Sequence, residues 1–310
     1  MLSSLINIVL LKIAFHTAYI HPLKEGHRFP MLKYELIYEQ LLHEGLVTMD
    51  NFFKPKKAAL HIVKLAHDAT YVDQLHQLTL SPQVVRRIGF PLSKALVDRE
   101  LILTQGTIES ALFALNQGIA FNIAGGTHHA GYDFGEGFCL LNDQAIAAAY
   151  LIDQHLAKKV LIVDLDVHQG NGTAHIFENN PYVITFSMHG EKNFPFIKQK
   201  SHLDLPLSDG IEDEEYLAML DLHLEKLFES HKPDFVFYQA GVDVLATDKL
   251  GKLKLSMLGC KQRDFKVINA CQKRGVPIQI SMGGGYSPAI KNIVDAHVNT
   301  FRVALDLYTF

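Results

Sequence analysis

The sequence predicts an α/β fold, in which one parallel sheet carries helices on both sides. Three observations carry that expectation. Short apolar runs alternate with longer helical patterns, as strands and crossover helices do in a parallel sheet. The candidate strands are continuous apolar runs rather than alternating ones, the pattern of strands covered on both faces. No Pro/Gly/Ser linker, internal repeat or low-complexity stretch divides the 310 residues. That length admits one large domain or two small ones.

Taken in chain order, the first feature is an apolar stretch at 5–11, LINIVLL. It lacks a basic flank, and no small-residue cleavage site follows it. It is also far too short to span a bilayer. Residues 1–10 are therefore read as an N-terminal extension to a domain at 11–310, with export left open. The first strand is expected at 11–15. Further strands are expected at 119–124, 160–164 (VLIVD), 182–187, 235–239 (FVFYQ) and 276–282. Helical patterns cover 31–43, 100–117, 142–155, 213–230, 259–274 and 287–298.

Composition narrows the function classes. Hydrophobic residues make up 48% and charged residues 20%, as in an ordinary globular protein. A chain of this size can bury roughly three quarters of its unfolded surface. The net charge of −4 gives no reason to expect nucleic acid as a partner. The basic clusters at Lys54–Lys57 and Lys158–Lys159 are short and read as solvated surface. Cys139, Cys260 and Cys271 form no CxxC pair and no even framework, which suits free thiols in a reducing, cytoplasmic compartment. The 17 histidines are the one unusual count.

Open α/β sheets place their sites beyond the carboxyl ends of the strands, and the polar motifs fall there. Strand 119–124 ends at a glycine-rich loop holding His128 and His129. Strand 160–164 runs into LDVHQGNG, with Asp164, Asp166 and His168. Strand 235–239 ends at AGVD and presents Asp243, and strand 276–282 delivers GGGY with Tyr286.

On extended backbone, positions i and i+2 point the same way, so Asp166 and His168 can grip one ion. Asp243 supplies a third ligand and leaves a position open, the mark of a catalytic metal site. Nitrogen and oxygen ligands without thiolate suit zinc, with iron(II) as the alternative. Adjacent histidines are not a packing device, because neighbours in regular structure point apart. A loop rich in glycine can turn His128 and His129 to one point. There they would serve as acid and base near neutral pH, with Asp164 and Asn171 as the available partners. A carboxylate raises the proton affinity of its histidine while an amide mainly orients it, so the two rings should differ in protonation. Tyr286 would donate its hydroxyl to the oxyanion of a tetrahedral intermediate. Read alone, it is a loop aromatic capping the next helix.

The strings GGTHHAGYDFGEGFCLLND, VDLDVHQGNGT, AGVDVLATDKLGKLKLS and GGGYSP resemble the metal-dependent histone deacetylase family of the arginase–deacetylase superfamily. They stand in that family's order and span about residues 12–296. The resemblance implies one domain with an eight-stranded, mostly parallel sheet between helices. It implies zinc on Asp166, His168 and Asp243, His128 and His129 as the acid/base pair, and Tyr286 on the oxyanion. It further implies a structural potassium ion held by groups of Asp164, Asp166, His168, Ser187 and Met188. The expected substrate channel is a narrow apolar tube walled by Phe138 and Phe194. Gly137 would let the substrate stem pass close to backbone. Arg28 is expected at the foot of that channel, and Cys139 as a buried neighbour rather than a nucleophile. Asn171, standing where class I members carry an aspartate, and the HQGNG string are more similar to class IV and its bacterial relatives. Around Ile88-Gly89-Phe90-Pro91 there is no counterpart of the class I rim aspartate.

The expected activity is hydrolysis of an N-acyl group from a lysine side chain of a protein or peptide, by metal-activated water and without a covalent intermediate. Acetyl and longer acyl chains both remain open. An acetylpolyamine amidohydrolase, acting on a small acylated amine, would share every catalytic residue, but the sequence places no acidic groups at the rim for a cationic substrate. An arginase-like enzyme needs more carboxylates than Gln169, Asn171 and Val244 offer. A non-catalytic acyl-lysine binding module is the alternative of another class. No basic or disordered tail points to chromatin.

Overall fold

The structure is a computed structural model describing residues 10–310, so the expected extension, except for Leu10, lies outside the described residues. The strands are β1 (Lys12–Ala14), β2 (Phe52–Phe53), β3 (Ile119–Asn122), β4 (Val160–Asp164), β5 (Val183–Gly190), β6 (Leu203–Leu207), β7 (Phe235–Gln239) and β8 (Ile278–Ser281). They form one sheet in the order β2-β1-β3-β8-β7-β4-β5-β6. Every neighbouring pair is parallel. The resemblance implied a mostly parallel sheet, and among the described strands it is wholly so. Strands β3, β4, β7 and β8 are buried along their whole length, as their unbroken apolar runs require.

The helices are α1 (Lys33–His43), α2 (Leu60–Val63), α3 (Ala69–His76), α4 (Pro82–Ile88), α5 (Lys94–Gln117), α6 (Asp143–Asp153), α7 (Asn171–Phe177), α8 (Asp213–His231), α9 (Met257–Arg274) and α10 (Ile290–Leu307). Helix α5 packs on α6, β1, β3 and β8, while α8, α9, α10 and α1 pack in series. Helix α5 begins six residues before its expected start because Ser93 caps it, its hydroxyl accepting from the Leu96 N–H. Helix α10 runs nine residues past its expected end, carried by a buried face that includes Phe301, Val303 and Ala304.

Two strands and four helices lie outside the sequence expectation. Strand β2 is two residues long, too short for any periodicity. Strand β6 reads LDLPL, and its proline lacks the N–H a central strand would need. The sheet resolves that by placing β6 at an edge. Helices α2, α3, α4 and α7 have eight residues or fewer, below the length at which helical periodicity stands out.

The register positions the site. Asp164 lies opposite Gln239 on one side and Ser187 on the other, and Ser281 lies opposite both Gln239 and Asn122. Asn122, Ser281, Gln239 and Asp164 are the last residues of their strands, so four strand ends stop in one row. They are those of β3, β8, β7 and β4, which carry the polar motifs and are consecutive in the sheet.

Candidate active site

Beyond that row, Asp166, His168 and Asp243 converge, all three buried, with one ligand atom from each within 4.8 Å of the others. Main-chain donors fix the carboxylates. The Gly284 N–H donates to Asp166 Oδ2 at 2.8 Å, and the Val167 N–H to Asp243 Oδ1 at 2.9 Å. The remaining oxygens face one atom: His168 Nδ1 lies 3.0 Å from Asp166 Oδ1 and 3.1 Å from Asp243 Oδ2. A ring nitrogen holds at most one hydrogen, so a single shared hydrogen would have to serve two carboxylates. Two buried carboxylates and an imidazole aimed at one point are the donor set of a divalent cation, and they fit zinc or iron(II). Burial, and then the Asp166 carboxylate, push Asp243 up to about 7.

The two histidines of the β3 loop stand beside this cluster, their ring centroids 4.1 Å apart. Asp143, at the start of α6, pins the loop by accepting from the Thr127 N–H and hydroxyl at 2.8 and 2.7 Å. His128 Nδ1 pairs with Asp164 Oδ2 at 2.7 Å, and His129 Nδ1 with Asn171 Oδ1 at 2.6 Å. Burial works to lower the pKa of His128, but the carboxylates of Asp164 and Asp166 outweigh it and hold the ring at about 9. His129 is pushed well below its usual value, by burial and then by the charges of His128 and His168. Tyr286 faces His168 across 6.3 Å between ring centroids. Its backbone N–H donates to Asp248 Oδ2 at 2.6 Å, which fixes the loop that carries it.

Two cavities meet at this cluster. An outer one of about 440 Å³ is lined by Gly137, Phe138, Phe194, His129, His168 and Tyr286, among others. Phe194 stands edge-on to His129 at 4.9 Å. Between them Gly137 has φ +56°, and a Cβ there would come within 2.6 Å of the His129 ring. An inner cavity of about 30 Å³, the space of one water, is lined by Tyr34, Arg99, Cys139 and the same histidines.

A histone deacetylase domain is recognised over residues 27–301. The chain belongs to the histone deacetylase family. As a histone deacetylase family member it is a hydrolase acting on acyl-lysine amides. It is 45% identical over 296 residues to an uncharacterised protein of Picosynechococcus, covering 96% of this chain and 99% of that one. It is 30% identical to human histone deacetylase 1, covering 91% of this chain and 61% of the human one. It is 28% identical to histone deacetylase 2 of Arabidopsis thaliana, over 90% of this chain and 75% of the plant one. The crystal structure of the HDA15 HD domain superimposes with a TM-score of 0.81 at 21% identity, covering 97% of this chain and 89% of that one, and shows the same fold.

Within this histone deacetylase fold, three polar residues bear on the site that sequence reading did not single out. Glu136 accepts from Asn171 Nδ2 at 2.6 Å through one oxygen and from Arg87 Nε at 2.6 Å through the other. It stands inside the glycine-rich string, directly before Gly137, but its partner Asn171 is 35 residues away. Lys33 is fully buried and donates to the Gly283 carbonyl at 2.6 Å, with burial lowering its pKa to about 8. Arg99 lines the inner cavity, paired with Glu100 and donating to the Tyr19 carbonyl. Arg28 departs from the expectation. It was expected at the foot of the channel, and it is exposed and lines the outer cavity. A flexible exposed cation gains nothing from the buried foot, which Arg99 occupies with a buried partner. Ser187 and Met188, named for potassium, lie on β5 beside Asp164, with Ser187 Oγ 2.9 Å from His189 Nδ1. Cys139, Cys260 and Cys271 are buried and unpaired. Among the described residues no helix is long and apolar enough to cross a membrane.

Proposed function

We propose that the chain hydrolyses acetyl or longer acyl groups from lysine side chains, with zinc held by Asp166, His168 and Asp243. The observation that carries this reading is His168 Nδ1 facing two buried carboxylates at once, beside the paired histidine rings. Zinc bound there supplies Lewis-acid polarisation of an acyl carbonyl and an acidified water. The residues do the rest. Asn171 commits its Nδ2 to Glu136, so its Oδ1 faces His129 and requires the hydrogen on His129 Nδ1. That leaves His129 Nε2 bare, able to take a proton from water and return it to the leaving lysine amine. His128, held charged by Asp164, stabilises negative charge developing on the acyl oxygen. Tyr286 donates its hydroxyl to the same oxygen. Gly137, Phe138 and Phe194 sheath the lysine stem and exclude water. The potassium ion is proposed at Asp164, Asp166, His168, Ser187 and Met188, beneath the same row of strand ends.

Two features weigh against the alternatives. The outer cavity is lined by basic residues, which repel an acetylpolyamine with its further ammonium groups. A binding module without turnover has no need of the Glu136–Asn171–His129 chain. The three buried unpaired thiols favour a reducing, cytoplasmic setting.

The test is release of acetyl, octanoyl and myristoyl groups from one lysine peptide by zinc-loaded protein, with a chelator control. Chelator-sensitive release supports the reading, and the preferred chain length separates deacetylase from long-chain deacylase. Release that survives complete metal removal would sink it.

A further inference from the structure

The mouth of the outer cavity carries a charge that the rest of the chain does not. Arg28, Arg86, Arg87, Lys192 and Lys252 line it, and no Asp or Glu does, although the whole chain has a net charge of −4. These five cations come from four segments: the loop before α1, helix α4, the loop after β5, and the loop between β7 and α9. Two are balanced, Arg87 by Glu136 at 2.6 Å and Lys192 by Asp209 at 3.8 Å. Arg28, Arg86 and Lys252 make no salt bridge among the described residues. Arg28 instead lies over the ring of Phe138, its guanidinium carbon 6.0 Å from the centroid. Around them the wall is apolar. Phe138, Phe194 and Leu250 line the cavity, and Phe196 stands at its edge 88% exposed.

We propose that this rim selects acyl-lysines set among acidic residues, so that the substrate is an acidic segment of a protein. This rests on the hydrolase reading above and adds the class of sequence presented to it. Unbalanced cations around an apolar-walled cleft focus their field on whatever approaches, and such steering raises association rates by about 10–10³. The acyl-lysine stem itself is neutral, so it gains nothing from these charges. Carboxylates flanking it would lie at the mouth and gain directly. Lysine- or arginine-rich flanks would be repelled by the same three groups. Rim charges of this kind act on association and on salt dependence more than on the chemical step.

Three labelled acetyl-lysine peptides of equal length, flanked by Glu, Gln or Lys, decide the matter, with kcat/KM and Kd measured for each. At about 20 mM salt the acidic peptide should exceed the basic one at least tenfold, chiefly in KM and Kd. The ratio should fall toward one as the salt rises to about 0.5 M, where charges more than a few ångströms apart are screened. The triple variant Arg28→Gln, Arg86→Gln, Lys252→Gln should bring the low-salt ratio below about threefold. All three side chains are on the surface, so folding is not at stake, and Arg87 is left in place because Glu136 uses it. Equal rates and equal Kd values across the peptides overturn the rim assignment. Absent hydrolysis with Kd still ranked acidic over basic overturns the hydrolase reading and upholds the rim. Tighter binding to phosphatidylserine vesicles than to the acidic peptide, lost in the triple variant, overturns the peptide assignment in favour of a membrane surface.

Discussion

Tyr286 and Glu136 show two ways a single side chain can matter at this site. In the proposed mechanism Tyr286 donates its hydroxyl to the developing oxyanion, so Tyr286→Phe should cost about 10²–10³ in kcat, as loss of other oxyanion donors does. Stopped assays on the acetyl peptide read this directly, and an unchanged kcat removes the assigned role. Glu136 reaches His129 through Asn171. Glu136→Leu frees the amide to turn its NH2 toward His129, and turnover should fall about tenfold, in kcat more than KM. Glu136→Gln keeps an acceptor for Asn171 and should hold most of the activity. Equal damage from both substitutions would mean that the Arg87 pair, not the amide, is what matters. His67 offers a third case away from the chemistry. Its Nε2 accepts from the Asn142 N–H at 2.9 Å, and burial holds its pKa down at about 4 against 6.5 in the unfolded chain. The unfolded state binds the extra proton first as pH falls. The stability it contributes is thus complete above pH 6.5 and is lost as pH drops toward 4, to the extent of roughly 3 kcal/mol. Urea unfolding of His67→Gln beside the parent should show the parent more stable at pH 8 and the difference narrowing as pH falls from 6.5 toward 4.

At the level of elements, the loops leaving β7 and β8 matter as much as the ligands. A Cβ on Gly284 would stand 2.0 Å from Asp243 Oδ2 and 2.6 Å from Asp166 Oδ2. Gly284→Ala therefore keeps all three ligands yet should drive the carboxylates apart, with bound zinc falling well below one per chain. Metal analysis of the dialysed variant checks it, and full occupancy would show that the loop can give way. Such loops also mark how far sequence reading reaches. The strand-end strings were legible because each packs its polar residues into a few consecutive positions after an apolar run. Lys33 was not, since it serves the β8 loop from 250 positions away. Nor was the order in which β8 and β7 insert between β3 and β4, because local pattern says that a strand is buried but not beside which neighbour. Strand β6 stayed hidden behind its proline, and α7 behind its seven residues. Glu136 was visible as a residue and silent as a role, because only the fold brings Asn171 to it.

For the whole molecule, the proposed metal site would act as a clasp on the centre of the sheet. Its ligands come from the loops after β4 and β7, the β8 loop holds Asp166 through Gly284, and the β3 loop reaches β4 through His128. A cation bound only by the folded state stabilises it by about 4 kcal/mol when free metal is a thousand times Kd. In a chain of this size that corresponds to a Tm higher by roughly 5–10 °C. Without the cation, Asp166 and Asp243 repel across a buried space. Burial and that repulsion raise Asp243 to about 7, far above its unfolded value of 3.8. Between those values the folded apo-protein binds the extra proton, so its stability falls as pH rises through 7. The metal competes with that same proton and binds better as pH rises. These are two sides of one proton linkage. The Tm difference between zinc-loaded and chelated protein should therefore widen from pH 6 to pH 8, as differential scanning calorimetry would record. A difference that stays constant or narrows over that range would mean that Asp243 is already ionised in the apo-protein, its charge met by groups other than the metal.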